Sequence, residues 1–158
     1  MWGLPKPYVI LLPISAIMDV GDGCGLSPRK VHYLKFLHAK GGRVRTTDIA
    51  KEFAVDPSTI TKTIQELCVT GLVTHKPYHG IGLSSSGKVY VDFLIRRHRI
   101  LSLMLTHYGF SHDQACEEAS RFESLVTKAA IDRICVAMGH PSHGICGEIT
   151  HDDGCLDT

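Results

Sequence analysis

A stretch of sixteen residues near the C-terminus carries three histidines and two cysteines at short spacings. The order is His140, His143, Cys146, His151 and Cys155, or His-x2-His-x2-Cys-x4-His-x3-Cys. Imidazole and thiolate at such spacings are ligands of zinc, iron or another borderline transition-metal ion, and an iron–sulfur centre also fits the pattern. The stretch is rich in glycine and short of apolar residues, so binding an ion would supply stability that it otherwise lacks. The alternative is a flexible terminus in which these side chains are incidental.

The six cysteines of the chain are not accompanied by a convincing secretory signal. We therefore expect a cytoplasmic protein with reduced thiols that are buried or bound to metal. The apolar run from Tyr8 to Val20 contains Pro13 and is too short to span a bilayer. We expect residues 1–26 to form a poorly ordered extension, and residues 1–17 belong to the native protein only if translation does not start at Met18.

A second stretch, from Thr46 to Leu83, predicts helix, turn, helix and a short β-hairpin. Asp56-Pro57 opens a helix whose apolar side chains share one face, while its other face is small or polar. This is the outline of a winged helix-turn-helix, which places one helix in the major groove of DNA. The predicted DNA-binding residues are Ser58, Thr59 and Lys62 for bases or adjacent phosphates, and Arg43, Arg45, Thr46, Thr47 and Lys76 for phosphates.

Caps and glycines predict the bounds of the first two helices and of the helices that follow the wing. Ser27-Pro28 opens a helix that Gly41-Gly42 ends, and Thr46 or Thr47 is predicted to cap a short second helix. The later helices are predicted to run from Ser84–Ser86 to about Tyr108, from the capping box at Ser111 to about Leu125, and from Thr127 to Gly139. The predicted fold is mainly α with a small β-wing.

The charged residues are distributed unevenly between the segment that contains the helix-turn-helix and the rest of the chain. Residues 29–99 hold 13 Lys and Arg against 5 Asp and Glu, a balance of +8, whereas residues 100–158 hold 3 against 9, a balance of −6. A basic segment that carries the helix-turn-helix predicts a DNA-facing domain, and the acidic segment predicts a domain that does not contact phosphate. Chance asymmetry of solvated faces is the alternative.

The order of elements resembles the diphtheria-toxin-repressor and manganese-transport-regulator family of metal-dependent repressors. The similarity covers roughly residues 27–143 and lies in TTDIAKEFAVDPSTITKTIQELCVTGLV, LSSSGKVYVDFLIRRHRIL, ACEEASRFESLV and MGHPSHG. The resemblance implies a homodimer that binds an operator, expected to be palindromic, under control of a divalent ion, iron or manganese by resemblance and zinc by ligand type. Together with the residue patterns above, it predicts four parts: a poorly ordered extension (1–26), a winged helix-turn-helix domain (27–84), a helical dimerisation and metal-sensing domain (85–139) and a His/Cys-rich tail (140–158).

The resemblance also implies metal ligands, but the match is partial. His98, Cys116 and Glu123 fall at ligand positions, whereas Ser102, Ser120 and Ser124 stand where the family has stronger ligands. Cys116 and Glu123 are seven residues apart, about 10 Å along a helix, so one ion cannot bind both directly. His98 and Cys116 could share an ion, and Glu123 with His32 could form a poorer second site.

We therefore expect Cys146, with His140 or His143, to join His98 and Cys116 in one closed site. The predicted function is a metal-responsive, homodimeric transcription regulator that represses metal-homeostasis genes. The alternatives are a regulator that senses thiol redox state or an iron–sulfur cluster, and a metal-buffering protein whose winged helix contacts protein. We find no nucleophile–base pair and no phosphate loop in the sequence, so we do not expect an enzyme.

Overall fold

The computed structural model describes residues 23–156, and the expectations for residues 1–22 lie outside this range. The helices are α1 (Pro28–Lys40), α2 (Thr46–Phe53), α3 (Pro57–Val69), α4 (Ser85–His107), α5 (His112–Phe122), α6 (Lys128–Ala137) and α7 (Asp153–Leu156), with a 3-10 turn at Glu123–Leu125. The strands are β1 (Val73–Lys76), β2 (Gly80–Leu83), β3 (His143–Gly144) and β4 (Gly147–Glu148), in two antiparallel pairs. The predicted mainly α fold with a β-wing is confirmed.

Helices α1 to α3 pack around a shared apolar core. Ile49, Ile60 and Leu67 are fully buried in it, because their helical spacing places them on inward faces. The start of α1 follows the prediction, since the Ser27 side chain accepts a hydrogen bond from the Lys30 amide. The predicted cap of α2 was wrong: the residue at that position is Arg45, and no side chain caps the helix, so Thr46 and Thr47 lie in its first turn.

The wing is a two-stranded hairpin in which Val73 pairs with Leu83 and Lys76 with Gly80. Its second strand also exchanges two 2.8 Å backbone hydrogen bonds between Val44 and Ile81, which fix the wing beside α1 and α2. Gly80 is required there, because its φ is +81° and an added Cβ would lie 2.8 Å from the Val44 carbonyl oxygen.

Helix α4 connects two cores. Its first half packs with α1 to α3, and its second half packs with α5, α6 and the tail. Arg97, fully buried in the middle, donates hydrogen bonds to the carbonyl oxygens of Gly23 and Val126. Gly23 and Leu26 are therefore packed against the protein, although they were assigned to the extension.

The C-terminal residues fold back on the second core. The capping box at Ser111 and the Thr127 cap begin α5 and α6 as predicted. After α6, the β3–β4 hairpin lies against α4 near Arg99, and Ile149 and Cys155 are buried with α4 and α6. Up to residue 156 the tail is thus part of the folded unit. Within residues 23–156, no helix has the length and apolar character needed to cross a membrane.

Candidate metal centres and nucleic-acid interface

Three potential metal ligands from distant parts of the sequence meet beside α4. His98 of α4, Cys116 of α5 and Cys146 between β3 and β4 each present a ligand atom, and these atoms all lie within 4.8 Å of one another. We call these residues the sensor cluster. His98 and Cys116 are half-buried and Cys146 is exposed, so the cluster is open to solvent on the side of the hairpin.

Ser102 lies next to the sensor cluster, one turn of α4 after His98. Its hydroxyl is 3.8 Å from Cys146 Sγ and donates to the Arg99 carbonyl oxygen. Burial raises the pKa of the Cys116 thiol, and the neighbouring Cys146 raises it further. A nearby positive charge, such as a metal ion, would favour the thiolate at this position.

Glu123 stands behind His98 rather than within the sensor cluster. Its carboxylate is almost fully buried, accepts a hydrogen bond from His98 Nδ1 at 2.7 Å and pairs with Lys35 Nζ at 2.8 Å. Burial alone would raise the pKa of Glu123, but His98 and Lys35 outweigh it and leave the pKa lowered. The expected pairing with His32 is not seen, because Glu123 is occupied by Lys35 of α1 and His32 is exposed.

The donor set of the sensor cluster is one imidazole nitrogen and two thiol sulfurs. Sulfur donors favour zinc, iron or other borderline ions, whereas manganese prefers carboxylate, carbonyl and water oxygens. The cluster therefore fits a divalent transition metal, with zinc or ferrous iron favoured over manganese by ligand type. Three protein donors also leave a coordination position for a further ligand.

His140 and His143 do not join Cys146, contrary to the expectation. His143 is exposed, with Nδ1 3.0 Å from Ser142 Oγ. His140 instead belongs to a second group at the end of α6, formed with Cys135, His151 and Cys155. We call these four residues the tail cluster, and their ligand atoms also lie within 4.8 Å of one another.

The four residues of the tail cluster were not predicted as one group. Cys135 was not among the predicted ligands, and His151 and Cys155 were predicted only as members of the His/Cys pattern of the tail. The available signal was a pair of short spacings, Cys135-x4-His140 and His151-x3-Cys155. Two such pairs are the usual arrangement of a four-ligand site.

The predicted DNA-reading face of α3 is open to solvent. Ser58, Thr59 and Lys62 are exposed on it, while the opposite side of the helix is buried. Among the phosphate candidates, Arg45, Thr47 and Lys76 are exposed and Thr46 is half-buried.

Two features of the wing modify this interface. Arg43 is exposed but donates to the Gly80 carbonyl oxygen at 3.1 Å, so part of its guanidinium holds the wing in place. Tyr78 at the tip of the wing is fully exposed with a φ of +63°, and it was not among the predicted DNA-binding residues.

Two family models match the chain. Residues 26–81 match "Iron dependent repressor, N-terminal DNA binding domain" and residues 84–150 match "Iron dependent repressor, metal binding and dimerisation domain". The HTH-type transcriptional regulator MntR of Bacillus subtilis (strain 168) is 30% identical over 104 residues, which cover 66% of this chain and 73% of that protein. The MntR of Lysinibacillus sphaericus (strain C3-41) is 29% identical over the same length, covering 75% of that protein.

Solved structures with a similar fold also match the chain. The hypothetical protein SSo2273 from Sulfolobus solfataricus matches with a TM-score of 0.72 and 29% identity, covering 80% of this chain and 100% of that one. ScaR with bound Zn2+ matches with a TM-score of 0.64 and 26% identity over 78% of this chain. The match covers 63% of the ScaR chain, which therefore extends beyond the shared region.

Proposed function

The chain belongs to the iron-dependent repressor family of metal-responsive, DNA-binding transcription regulators, and from that premise we propose that the sensor cluster is its regulatory metal site. The observation that carries the proposal is the convergence of His98, Cys116 and Cys146, which are up to 48 positions apart (146 − 98). The family matches do not favour a redox or iron–sulfur sensor, or a metal-buffering protein. Family members are transcription regulators rather than enzymes.

Glu123 has a positioning role in this site. Because its carboxylate accepts a hydrogen bond from Nδ1–H of His98, the imidazole is held in the tautomer that leaves Nε2 free to bind a metal. The ion, when bound, supplies bonds that link α4, α5 and the hairpin. The ligand type favours zinc or ferrous iron over manganese, and among the similar proteins one structure is of ScaR with bound Zn2+ and another is of a manganese-dependent repressor with manganese.

The link from the sensor cluster to DNA runs through α4 and α1. Lys35 of α1 pairs with Glu123, and Glu123 pairs with His98. A displacement of His98 would therefore be passed to α1 of the winged helix-turn-helix through these two ion pairs. Helix α4 also packs against α1 directly. We infer that these contacts couple metal binding to the orientation of α3, shifting the protein toward the DNA-competent state.

DNA recognition is assigned to the exposed face of α3, with Ser58, Thr59 and Lys62 near the bases. The phosphate contacts are assigned to Arg43, Arg45, Thr46, Thr47 and Lys76. A homodimer with two such helices is expected to read a palindromic operator. The proposed division is a winged helix-turn-helix over residues 27–84, a dimerisation and sensing domain over 85–139 and the tail over 140–158, in a cytoplasmic protein.

The test is metal analysis of anaerobically purified protein with Cys116 and Cys146 both changed to serine. We expect this variant to lose one ion per chain and its metal-dependent DNA binding, whereas Cys68→Ser, a half-buried cysteine of α3, retains both. Unchanged metal content and affinity in the double variant would refute the assignment.

A further inference from the structure

The sulfur–nitrogen separations in the tail cluster match those of a tetrahedral metal site, and all four ligand atoms lie within 4.8 Å of one another. Cys135 Sγ lies 3.7 Å from His140 Nδ1 and 3.5 Å from His151 Nδ1, and Cys155 Sγ lies 3.6 Å and 3.9 Å from the same two atoms. Zinc bonds of about 2.3 Å to sulfur and about 2.0–2.1 Å to nitrogen give a tetrahedral S···N separation of about 3.6 Å. All four observed separations are close to this value.

The histidine rings are oriented for binding through Nδ1. His151 Nε2 lies 3.2 Å from the Pro141 carbonyl oxygen, which can only accept, so Nε2 carries the proton and Nδ1 is free. His140 reaches the cluster from a left-handed backbone conformation with a φ of +53°, which is uncommon for a residue other than glycine. Both Nδ1 atoms therefore face the two sulfurs.

The surroundings suit a neutral, enclosed centre. Cys135 and Cys155 are fully buried, and Arg96, only 3% exposed, lies beside them with its Nη1 3.6 Å from Asp152 Oδ2. Asp132 pairs with Arg96 at 2.8 Å, and Lys128 bridges Asp132 and Asp152 at 2.8 Å and 3.0 Å. Two thiolates balance a divalent ion, and the two cations around the cluster balance the two carboxylates, so no net charge is buried.

From this geometry we propose that Cys135, His140, His151 and Cys155 form a closed, structural Cys2His2 site for zinc, separate from the sensor cluster. The site ties the end of α6 to α7 and so closes the chain between His140 and His151 into an anchored loop. Cys146 lies on that loop. The structural ion thereby holds a ligand of the sensor cluster in place, a consequence that rests on the proposed function, whereas the site itself does not.

The test uses the full-length Cys116→Ser plus Cys146→Ser variant, in which the thiols of the sensor cluster are absent. Purified under reducing conditions and loaded with Co2+, it should bind one ion per chain and show strong visible bands of tetrahedral cobalt with a thiolate charge-transfer band. Zn2+ should displace the cobalt and remove the colour. Further substitution of Cys135 and Cys155 by serine should abolish the spectrum, whereas adding Cys68→Ser should leave it unchanged.

A weak, octahedral-type cobalt spectrum, or no bound ion, would overturn the proposal, as would a Cys135–Cys155 disulfide in protein kept reduced. A second measurement needs no substitution and covers the case of a variant that fails to fold. Native mass spectrometry of the zinc-loaded wild-type chain should show two ions, one lost readily to a chelator from the exposed sensor cluster and one retained. A wild-type chain that retains no ion after treatment with the chelator would contradict the proposal. A sensor cluster that fails its own test leaves the cobalt result of the tail cluster unaffected.

Discussion

Replacing Glu123 by glutamine tests the positioning role of its carboxylate. Glutamine has nearly the same size but carries no charge, so it weakens the bond to His98 Nδ1 at 2.7 Å and removes the ion pair with Lys35 at 2.8 Å. Loss of such a partner behind a metal ligand costs about 10- to 100-fold in metal affinity. That corresponds to about 1.4 to 2.8 kcal/mol of binding free energy.

The assay is a competition titration of zinc against a chromogenic chelator, comparing wild type, Glu123→Gln and His98→Ala. Lys35→Met is the matched control, because it breaks the same ion pair but leaves the His98–Glu123 hydrogen bond intact. We expect Glu123→Gln to bind more weakly than Lys35→Met and more tightly than His98→Ala. An unchanged affinity would refute the positioning role, and a loss as large as that of His98→Ala would mean that Glu123 itself binds the ion.

Three further predictions concern DNA binding and stability. Lys62→Ala should weaken operator binding and lower the slope of log affinity against log salt by about 0.9, since one phosphate contact is lost; a filter-binding titration that finds the same slope as for Arg133→Ala, an exposed arginine on α6, would exclude the contact. Gly87→Ala should cost roughly 3 kcal/mol in urea unfolding, because its Cβ would lie 1.9 Å from the Leu72 carbonyl oxygen; a stable variant with an intact wing would contradict this packing. Ser111→Ala should cost about 1 kcal/mol by removing the capping box of α5, and an unchanged unfolding midpoint would count against that cap.

Local sequence signals predicted the order and type of the main elements well. The Ser27 cap, the capping box at Ser111 and the apolar face of α3 act within one or two turns of helix, so they can be read directly from the sequence. The cap of α2 was predicted wrongly. Its first-turn threonines are ordinary capping residues, but the chain enters the helix one residue earlier, at Arg45.

The metal sites depended on contacts that no local pattern specifies. The grouping of Cys146 with His98 and Cys116 was anticipated from missing family ligands, and the structure brings the three residues together. The prediction that His140 joins this group was wrong. The backbone at His140 is left-handed, and the His140 ring lies beside Cys135 instead. Cys135 could be read equally well as a core residue, since a buried thiol and a metal ligand occupy the same helix face.

The central claim is that metal at the sensor cluster controls DNA binding. It is tested most directly by titrating an operator fragment, selected with the metal-loaded protein, at fixed free zinc or ferrous iron and with metal removed. Wild-type protein should bind DNA about 5- to 150-fold more tightly with metal, the usual range of such coupling, and the Cys116→Ser plus Cys146→Ser variant should show no dependence on metal. An equal metal dependence in both proteins would contradict the claim.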